Sequence, residues 1–186
     1  MKMDAHTTYG KSYISTCVNA LESSHADNVG GVLMTVPGAN SLQAKTIALV
    51  LSHPFGVGSS PFRRKISDGP REVDTVAFGC YRKEVFKKIG LYNEKLVRSS
   101  DMELNIRLKK SGGKILFVPD IVAYYFADST FLKFWKHNFT DGVWAISPLK
   151  FTKTLLRPRH FIPLLFLLSL AAPLLLSLVF RPAFFV

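Results

Sequence analysis

The stretch SSDMELNIRL, residues 99–108, predicts a short amphipathic helix with two carboxylates near its start. Ser100 and Glu103 have the spacing of a capping box, so we expect Ser100 to cap the helix and Asp101 to be its first residue. The two leucines of the stretch fall on one apolar stripe, and Asp101 borders it. A carboxylate fixed beside the core is placed to act as a general base, although the helix dipole alone also favours an acid there.

Helical and strand patterns alternate on both sides of this stretch. Helices are predicted at residues 13–21, 41–51, 83–89 and 130–140, and strands at 28–36, 72–81, 114–118 and 121–126, with a turn at 119–120. Residues 56–71 are rich in Gly, Ser, Pro and Arg and predict a mobile loop. Cys17 and Cys80 lie among apolar neighbours and are expected to be core thiols. The alternation predicts an α/β fold with a mixed sheet.

An apolar run without any charge lies near the end of the sequence. The chain has 186 residues, of which 48% are hydrophobic, and the run at residues 161–180 reads FIPLLFLLSLAAPLLLSLVF. About 20 apolar residues are needed for a helix to cross a bilayer, and membrane helices tolerate a proline such as Pro173. We expect a transmembrane helix at 161–180 after a basic juxtamembrane linker at 151–160; a buried soluble helix is the alternative.

The net charge of +11 is concentrated in part beside this run. Basic residues crowd its N-terminal side: Lys150, Lys153, Arg157 and Arg159. Only Arg181 follows it, so the positive-inside bias predicts that the chain before the run faces the cytoplasm. Anionic lipid head groups explain these charges better than nucleic acid does, because no nucleic-acid-binding module accompanies them.

Seven segments in order carry a resemblance to a known family. They are residues 3–6 (MDAH), 28–31 (NVGG), 56–58 (GVG), 73–79 (VDTVAFG), 82–86 with Gly90, 100–108, and 135–144 (WKHNFTDGVW). The chain resembles the C-terminal part of a family-2 inverting glycosyltransferase of the GT-A fold, in the exopolysaccharide branch with the succinoglycan-type glucosyltransferases. The resemblance implies a partial GT-A domain at 1–150, whose N-terminal nucleotide-binding half is absent.

The resemblance assigns chemistry to three residues. Asp101 matches the base of the family's Glu-Asp motif, which deprotonates the acceptor hydroxyl. Asp4, with His6, matches the end of the segment that binds a divalent metal and the donor diphosphate. A carboxylate suits Mg²⁺ or Mn²⁺ and an imidazole suits Mn²⁺ better; solvated terminal residues are the alternative for both.

Four further residues are expected to contact substrate. Asp74 opens the strand predicted at 72–81, where it either recognises acceptor or donor sugar or pairs with an arginine. Lys136 and His137 stand where the branch has Arg and Gln. Trp144, like Trp135, either stacks on a sugar or anchors the domain at a membrane interface.

Four further basic residues are considered as parts of the predicted site. Arg107 is expected to be an ion-pair partner that braces the site. Arg63, Arg64 and Lys65 lie in the predicted loop, where they either touch a lipid-linked diphosphate or form an ordinary solvated basic loop.

The resemblance implies transfer of a hexose from a nucleotide sugar to a lipid-linked glycan, at the cytoplasmic face of a bacterial inner membrane. Because most of the donor pocket has no source in residues 1–150, we expect little or no transfer by the chain alone, and a separate chain that supplies the N-terminal half is one possible partner. The alternative function is a catalytically silent membrane protein that binds glycan or a partner glycosyltransferase. Metal-dependent binding of a nucleoside diphosphate distinguishes the two.

Overall fold

The computed structural model describes residues 1–57, 61–63, 69–145, 147–153 and 161–179. The strands are β1 (Thr7–Tyr9), β2 (Asn28–Val36), β3 (Arg71–Glu72), β4 (Cys80–Tyr81) and β5 (Ile115–Phe126). The helices are α1 (Tyr13–Ser24), α2 (Leu42–Ser52), α3 (Pro54–Val57), α4 (Lys83–Ile89), α5 (Ser100–Lys110), α6 (Phe131–Ala145), α7 (Ser147–Thr152) and α8 (Ile162–Val179). Residues through Thr152 form one compact unit, and α8 belongs to a second.

Strand β5 is the centre of a mixed sheet. It pairs in parallel with β2 along one edge, and antiparallel with β1 and β3 along the other. β4 closes the sheet by pairing antiparallel with the start of β2. The predicted α/β fold with a mixed sheet is therefore confirmed.

A register shift in the middle of the sheet corrects one prediction. The turn predicted at 119–120 is wrong, because β5 runs continuously through it and shifts register against β2 between Gly30 and Val32. Gly31 makes this possible: a Cβ there would lie 1.9 Å from the carbonyl oxygen of Ile121. The two strands approach closely only because Gly31 has no side chain.

The strand predicted at 72–81 is wrong except at its ends, β3 and β4. Between them Phe78 has a φ of 50°, which breaks the extended conformation. The following Gly79 lies against the side chain of Asn28, whose Oδ1 would be 2.4 Å from a Cβ at that position. A turn and a close packing contact therefore replace the middle of the strand.

Two apolar clusters pack around the sheet. One is built on α1 and includes Tyr13, Cys17, Leu21, Phe78 and Cys80. The other is built on α4 and α5 and includes Val85, Leu104, Leu108, Ile115 and Phe117. The expectation that both cysteines are buried core thiols is confirmed. The second cluster fixes the apolar side of α5, and with it the position of Asp101.

The start of α5 differs from the predicted capping box. Ser99, with a φ of 59°, is the N-cap, and Ser100 is already helical. Glu103 is not available for capping, because the residue is only 3% exposed and both its carboxylate oxygens accept hydrogen bonds from Arg107, Nε to Oε1 at 2.6 Å and Nη2 to Oε2 at 2.9 Å. Arg107 also donates to the carbonyls of Ile89 and Leu91. The predicted bracing role of Arg107 is confirmed: it ties α5 to the end of α4.

Replacing Glu103 with Gln is expected to lower the free energy of unfolding by about 2–3 kcal/mol, because the partly buried Arg107 guanidinium loses its buried, charged acceptor. Urea unfolding followed by circular dichroism measures this. Glu72→Gln is the matched control: Glu72 accepts a 2.5 Å hydrogen bond from Lys109 on the exposed surface, where solvent screens the pair, so a much smaller change is expected. Equal losses in the two variants would contradict the assignment of Glu103 as a buried brace.

The apolar run forms α8, which contains Pro173. Among the residues that the structure describes, no helix is long and apolar enough to cross a membrane. The transmembrane helix predicted at 161–180 is therefore not found there. Residues 154–160 of the predicted linker and residue 180 lie outside the described part of the chain.

Candidate functional site

The N-terminal segment lies against the start of α5. Lys2 Nζ is 3.8 Å from Oδ1 of Asp101 and donates to Ser100 Oγ at 3.3 Å. Its ammonium also lies 6.0 Å from the centroid of the Tyr92 ring. The backbone N–H of Lys2 donates to the carbonyl of Gly79 at 3.3 Å, which fixes the segment to the loop before β4. Lys2, which directly precedes the motif at residues 3–6, therefore contacts the start of α5.

Asp101 is in the first turn of α5 and its side chain is 34% exposed. Oδ1 accepts a hydrogen bond from the backbone N–H of Met102 at 3.0 Å. Burial raises the pKa of the neighbouring Tyr92, and the negative charge of Asp101 raises it further. The carboxylate is therefore accessible to a ligand from one side and held by a cation and a backbone donor on the other.

Asp4 and His6 contact each other at the start of the chain. Asp4 Oδ1 lies 3.2 Å from the backbone nitrogen of His6, which donates to it, and 3.3 Å from His6 Nδ1. Burial would raise the pKa of the Asp4 carboxyl, but the hydrogen bonds and charge of His6, together with the charge of Lys2, lower it below its usual value. Lys2 therefore acts electrostatically on Asp4 and contacts Asp101 directly.

Asp4 and His6 can hold a metal ion only if a bound substrate and water supply the remaining metal ligands. Within the described residues there is no cluster of three or more His, Cys, Asp or Glu side chains that could hold an ion. Mg²⁺ commonly binds through one or two carboxylates together with substrate phosphates and water. The ionised Asp4 carboxylate fits that pattern, with His6 as a second donor.

Asp74 does not open a strand and is not buried. It is exposed in the bend after β3 and borders a shallow groove lined by Glu72, Val73 and Lys109. Lys109 lies near the C-terminal end of α5, about 12 Å along the helix axis from Asp101 at a rise of 1.5 Å per residue. The groove is thus at the far end of α5 from Asp101.

His137 is engaged by two carboxylates. Its Nδ1 lies 3.0 Å from Asp128 Oδ2, and its Nε2 lies 3.3 Å from Asp141 Oδ2. Asp141 Oδ1 in turn accepts a 2.5 Å hydrogen bond from Arg98. Because Arg98 is three residues before Asp101, this chain of polar contacts ties α6 to the segment that enters α5.

The other predicted contact residues are spread over different environments. On α6, Lys136 and Trp135 are exposed, whereas Trp144 is half-buried. Arg63 lies over the ring of Tyr125, 5.8 Å from its centroid, and burial lowers the pKa of its guanidinium. Arg64 and Lys65 lie outside the described residues. A substrate role for Lys136, His137 and Trp144 stays a prediction.

A buried hydrogen-bond network holds the first turns of α5 on the side that faces the core. Asn105, one turn after Asp101, accepts from Asn28 Nδ2 at 2.9 Å and from the Tyr81 hydroxyl at 2.8 Å, and donates to Thr75 Oγ1 at 2.8 Å. Asn28 and Asn105 are fully buried. The network joins α5 to β2, β4 and the loop between β3 and β4.

Sequence reasoning missed Lys2, Arg98, Asp128 and Asp141. The His137–Asp141 spacing of four residues on a predicted helix was a usable signal for one of these pairs. Lys2 and Arg98 have no such signal, because their partners are distant in sequence. Asn105 was visible only as a polar residue beside an apolar stripe.

No protein-family model matches the chain. Over 115 residues, or 61% of this chain, it is 29% identical to the dolichyl N-acetyl-alpha-D-glucosaminyl phosphate 3-beta-D-2,3-diacetamido-2,3-dideoxy-beta-D-glucuronosyltransferase of Methanococcus voltae. Over 138 residues, or 74% of this chain, it is 29% identical to the succinoglycan biosynthesis protein ExoA of Rhizobium meliloti (strain 1021). The matches span 34% and 41% of these relatives' own lengths.

Proposed function

We propose that this chain, which resembles the family-2 glycosyltransferases of the exopolysaccharide type over part of its length, contributes the acceptor side of an inverting hexosyltransferase. The donor is a nucleotide sugar and the acceptor a lipid-linked glycan, at the cytoplasmic face of a bacterial plasma membrane. The observation that carries the proposal is the contact of Lys2 with Asp101, because it brings the segment of Asp4 and His6 to the carboxylate at the start of α5.

In the proposed reaction the acceptor hydroxyl attacks the anomeric carbon of the donor sugar. A bond forms from the acceptor oxygen to that carbon, the bond from the carbon to the diphosphate oxygen breaks, and the hydroxyl proton passes to Asp101. The nucleoside diphosphate leaves with the electron pair. A divalent metal at Asp4 and His6 would supply charge neutralisation for that leaving group.

Polar side chains around the pair support this assignment of roles. Lys2 contacts Asp101 directly, and its positive charge helps to lower the pKa of the Asp4 carboxyl, so one cation acts on both acidic residues. The partly exposed Asp101 carboxylate leaves room for a hydroxyl on its open side. The exposed Asp74 is the more distant candidate contact, beside its groove at the other end of α5.

Metal-dependent binding of a nucleoside diphosphate tests the proposal. Titration calorimetry of the full chain with uridine and guanosine diphosphates, with Mn²⁺ and with a chelator, is expected to show binding that needs the metal. Asp4→Asn is expected to weaken it about 10–100-fold, because one charged ligand is lost. Asp120→Asn, an exposed carboxylate on β5, is the matched control and should leave the affinity unchanged.

Two results would contradict the proposal. Diphosphate binding that is equally tight with the chelator would remove the metal role of Asp4. No diphosphate binding under any of these conditions, with glycan binding retained, would favour a catalytically silent glycan-binding protein.

A further inference from the structure

Helix α6 carries its apolar side chains on the outside of the folded unit. Five large apolar residues are exposed by 51–63%: Phe131, Leu132, Trp135, Phe139 and Val143. At about 100° per residue these five fall within an arc of about 120°, which we name the apolar stripe. None of the described residues of α6 is buried. A surface helix normally turns such a stripe toward the core, so the orientation of α6 is reversed.

Polar contacts fix this reversed orientation. His137 and Asp141 lie on the side of α6 opposite the stripe, where they contact Asp128 and Arg98. Rotating the helix to bury the stripe would break these polar contacts. Within the stripe, Trp135 and Phe139 stack on each other with ring centroids 5.6 Å apart. The stripe is therefore a formed surface held outward by the fold.

The charge around the stripe indicates what covers it. Exposed lysines lie on α6 itself and on α7, which follows it closely: Lys133, Lys136 and Lys150. The described residues of these two helices include a single acid, Asp141, which faces Arg98 and His137. Two copies of the chain packed stripe to stripe would bring these lysines toward each other, whereas an anionic lipid surface compensates them.

We infer that the apolar stripe of α6 lies in the surface of an anionic bilayer, with the helix axis parallel to the membrane plane. Aromatic side chains would enter the boundary between head groups and acyl chains by about 5–10 Å, and the lysines would reach the lipid phosphates. This contact goes beyond the proposed function, since it needs neither Asp101 nor a metal. It requires no membrane-spanning helix.

Contact of α6 with a bilayer would also position Asp101. The Arg98–Asp141 contact, at 2.5 Å, joins α6 to the segment that enters α5. A bilayer that holds α6 therefore also fixes the height of Asp101 above the lipid surface.

Tryptophan fluorescence of the full chain tests the lipid contact. The chain has two tryptophans, and both are on α6, so the emission reports this helix whatever else holds the chain to a vesicle. Trp135 and Trp144 are nine residues apart and so face about 180° apart. The Trp144→Phe variant keeps only Trp135, the tryptophan of the stripe. The matched control, Trp135→Phe, keeps only the half-buried Trp144.

With vesicles of phosphatidylglycerol and phosphatidylcholine, we expect the emission of the Trp144→Phe variant to shift to shorter wavelength. Lipids that carry bromine on the acyl chain close to the head group should quench most of this fluorescence. The Trp135→Phe variant is expected to be quenched far less. Vesicles of phosphatidylcholine alone should give a smaller shift for Trp135, because the lysines lose their anionic partners.

Three outcomes would overturn the inference. If brominated lipid quenches neither variant, or quenches Trp144 as strongly as Trp135, the stripe does not contact lipid. A Trp135 emission that shifts with protein concentration and ignores bromine would identify a second copy as the partner. None of these outcomes bears on diphosphate binding at Asp4, so the proposed function can stand if this inference fails.

Discussion

Asp101→Asn is expected to lower the rate of sugar transfer by about 10²–10⁴-fold while leaving metal-dependent diphosphate binding nearly unchanged. Asn has the size and hydrogen-bonding reach of Asp but cannot accept the proton of the acceptor hydroxyl. The substitution is isosteric at a side chain that is 34% exposed, so the helix and its buried face are not disturbed. A loss of turnover without a loss of binding identifies a group that acts in the transition state.

The measurement uses the protein in the cells that produce it. The variant is placed at the chromosomal locus, and transfer of radiolabelled sugar to the lipid fraction is followed in isolated membranes. Glu94→Gln is the matched control, because Glu94 is an exposed carboxylate shortly before α5. Transfer that survives in Asp101→Asn would remove the base assignment. An equal loss of transfer and of diphosphate binding would indicate a structural role for Asp101 instead.

Local signals in the sequence were sufficient for several of the regular elements. Strand β2 and helix α4 have the predicted bounds, and α4 ends at Gly90, whose φ of 81° suits a residue without a side chain. The similarity to glycan-building relatives also agrees with the resemblance found in the short motifs. Strand β2 and helix α4 are determined mainly by residues close together in the chain, so the sequence alone is sufficient to predict them.

Features that depend on distant contacts were not predictable. The break in the strand predicted at 72–81 arises where Gly79 packs against Asn28, some fifty residues earlier in the chain. The predicted capping box did not form because the Glu103 carboxylate accepts from Arg107, which also donates to the carbonyls of Ile89, at the end of α4, and Leu91, just after it. A two-residue motif does not reveal which of several partners a side chain will have in the folded protein.

The candidate site shows the same division. The resemblance singled out Asp4 and Asp101 separately, but only the fold shows that Lys2 lies between their segments. His137 was expected to contact substrate, and the structure places both its ring nitrogens near carboxylates. The partners of Asp101 and of His137 include charged residues from other segments of the chain, so the geometry of the site depends on tertiary contacts.

Asn105→Leu is expected to lower the free energy of unfolding by about 4 kcal/mol, the largest stability change among these variants. Asn105 has no exposed surface, and its amide serves Asn28, Tyr81 and Thr75 at once. Leu fills a similar volume but leaves three polar groups in the interior without this partner, each at a cost of about 1–3 kcal/mol. Partial relaxation of these groups toward other acceptors keeps the total below the sum of the three.

A double-mutant cycle separates the network from the loss of packing. Tyr81→Phe alone removes one donor and is expected to cost about 1 kcal/mol. Combined with Asn105→Leu it should cost less than the two changes added, because the Tyr81 hydroxyl has already lost its acceptor. Asn19→Ala, at an exposed position of α1, is the control and should stay within about 0.5 kcal/mol of the unchanged chain. Additive costs would mean that Asn105 contributes through packing alone, and the start of α5 would then depend on its apolar side and on the Glu103–Arg107 pair.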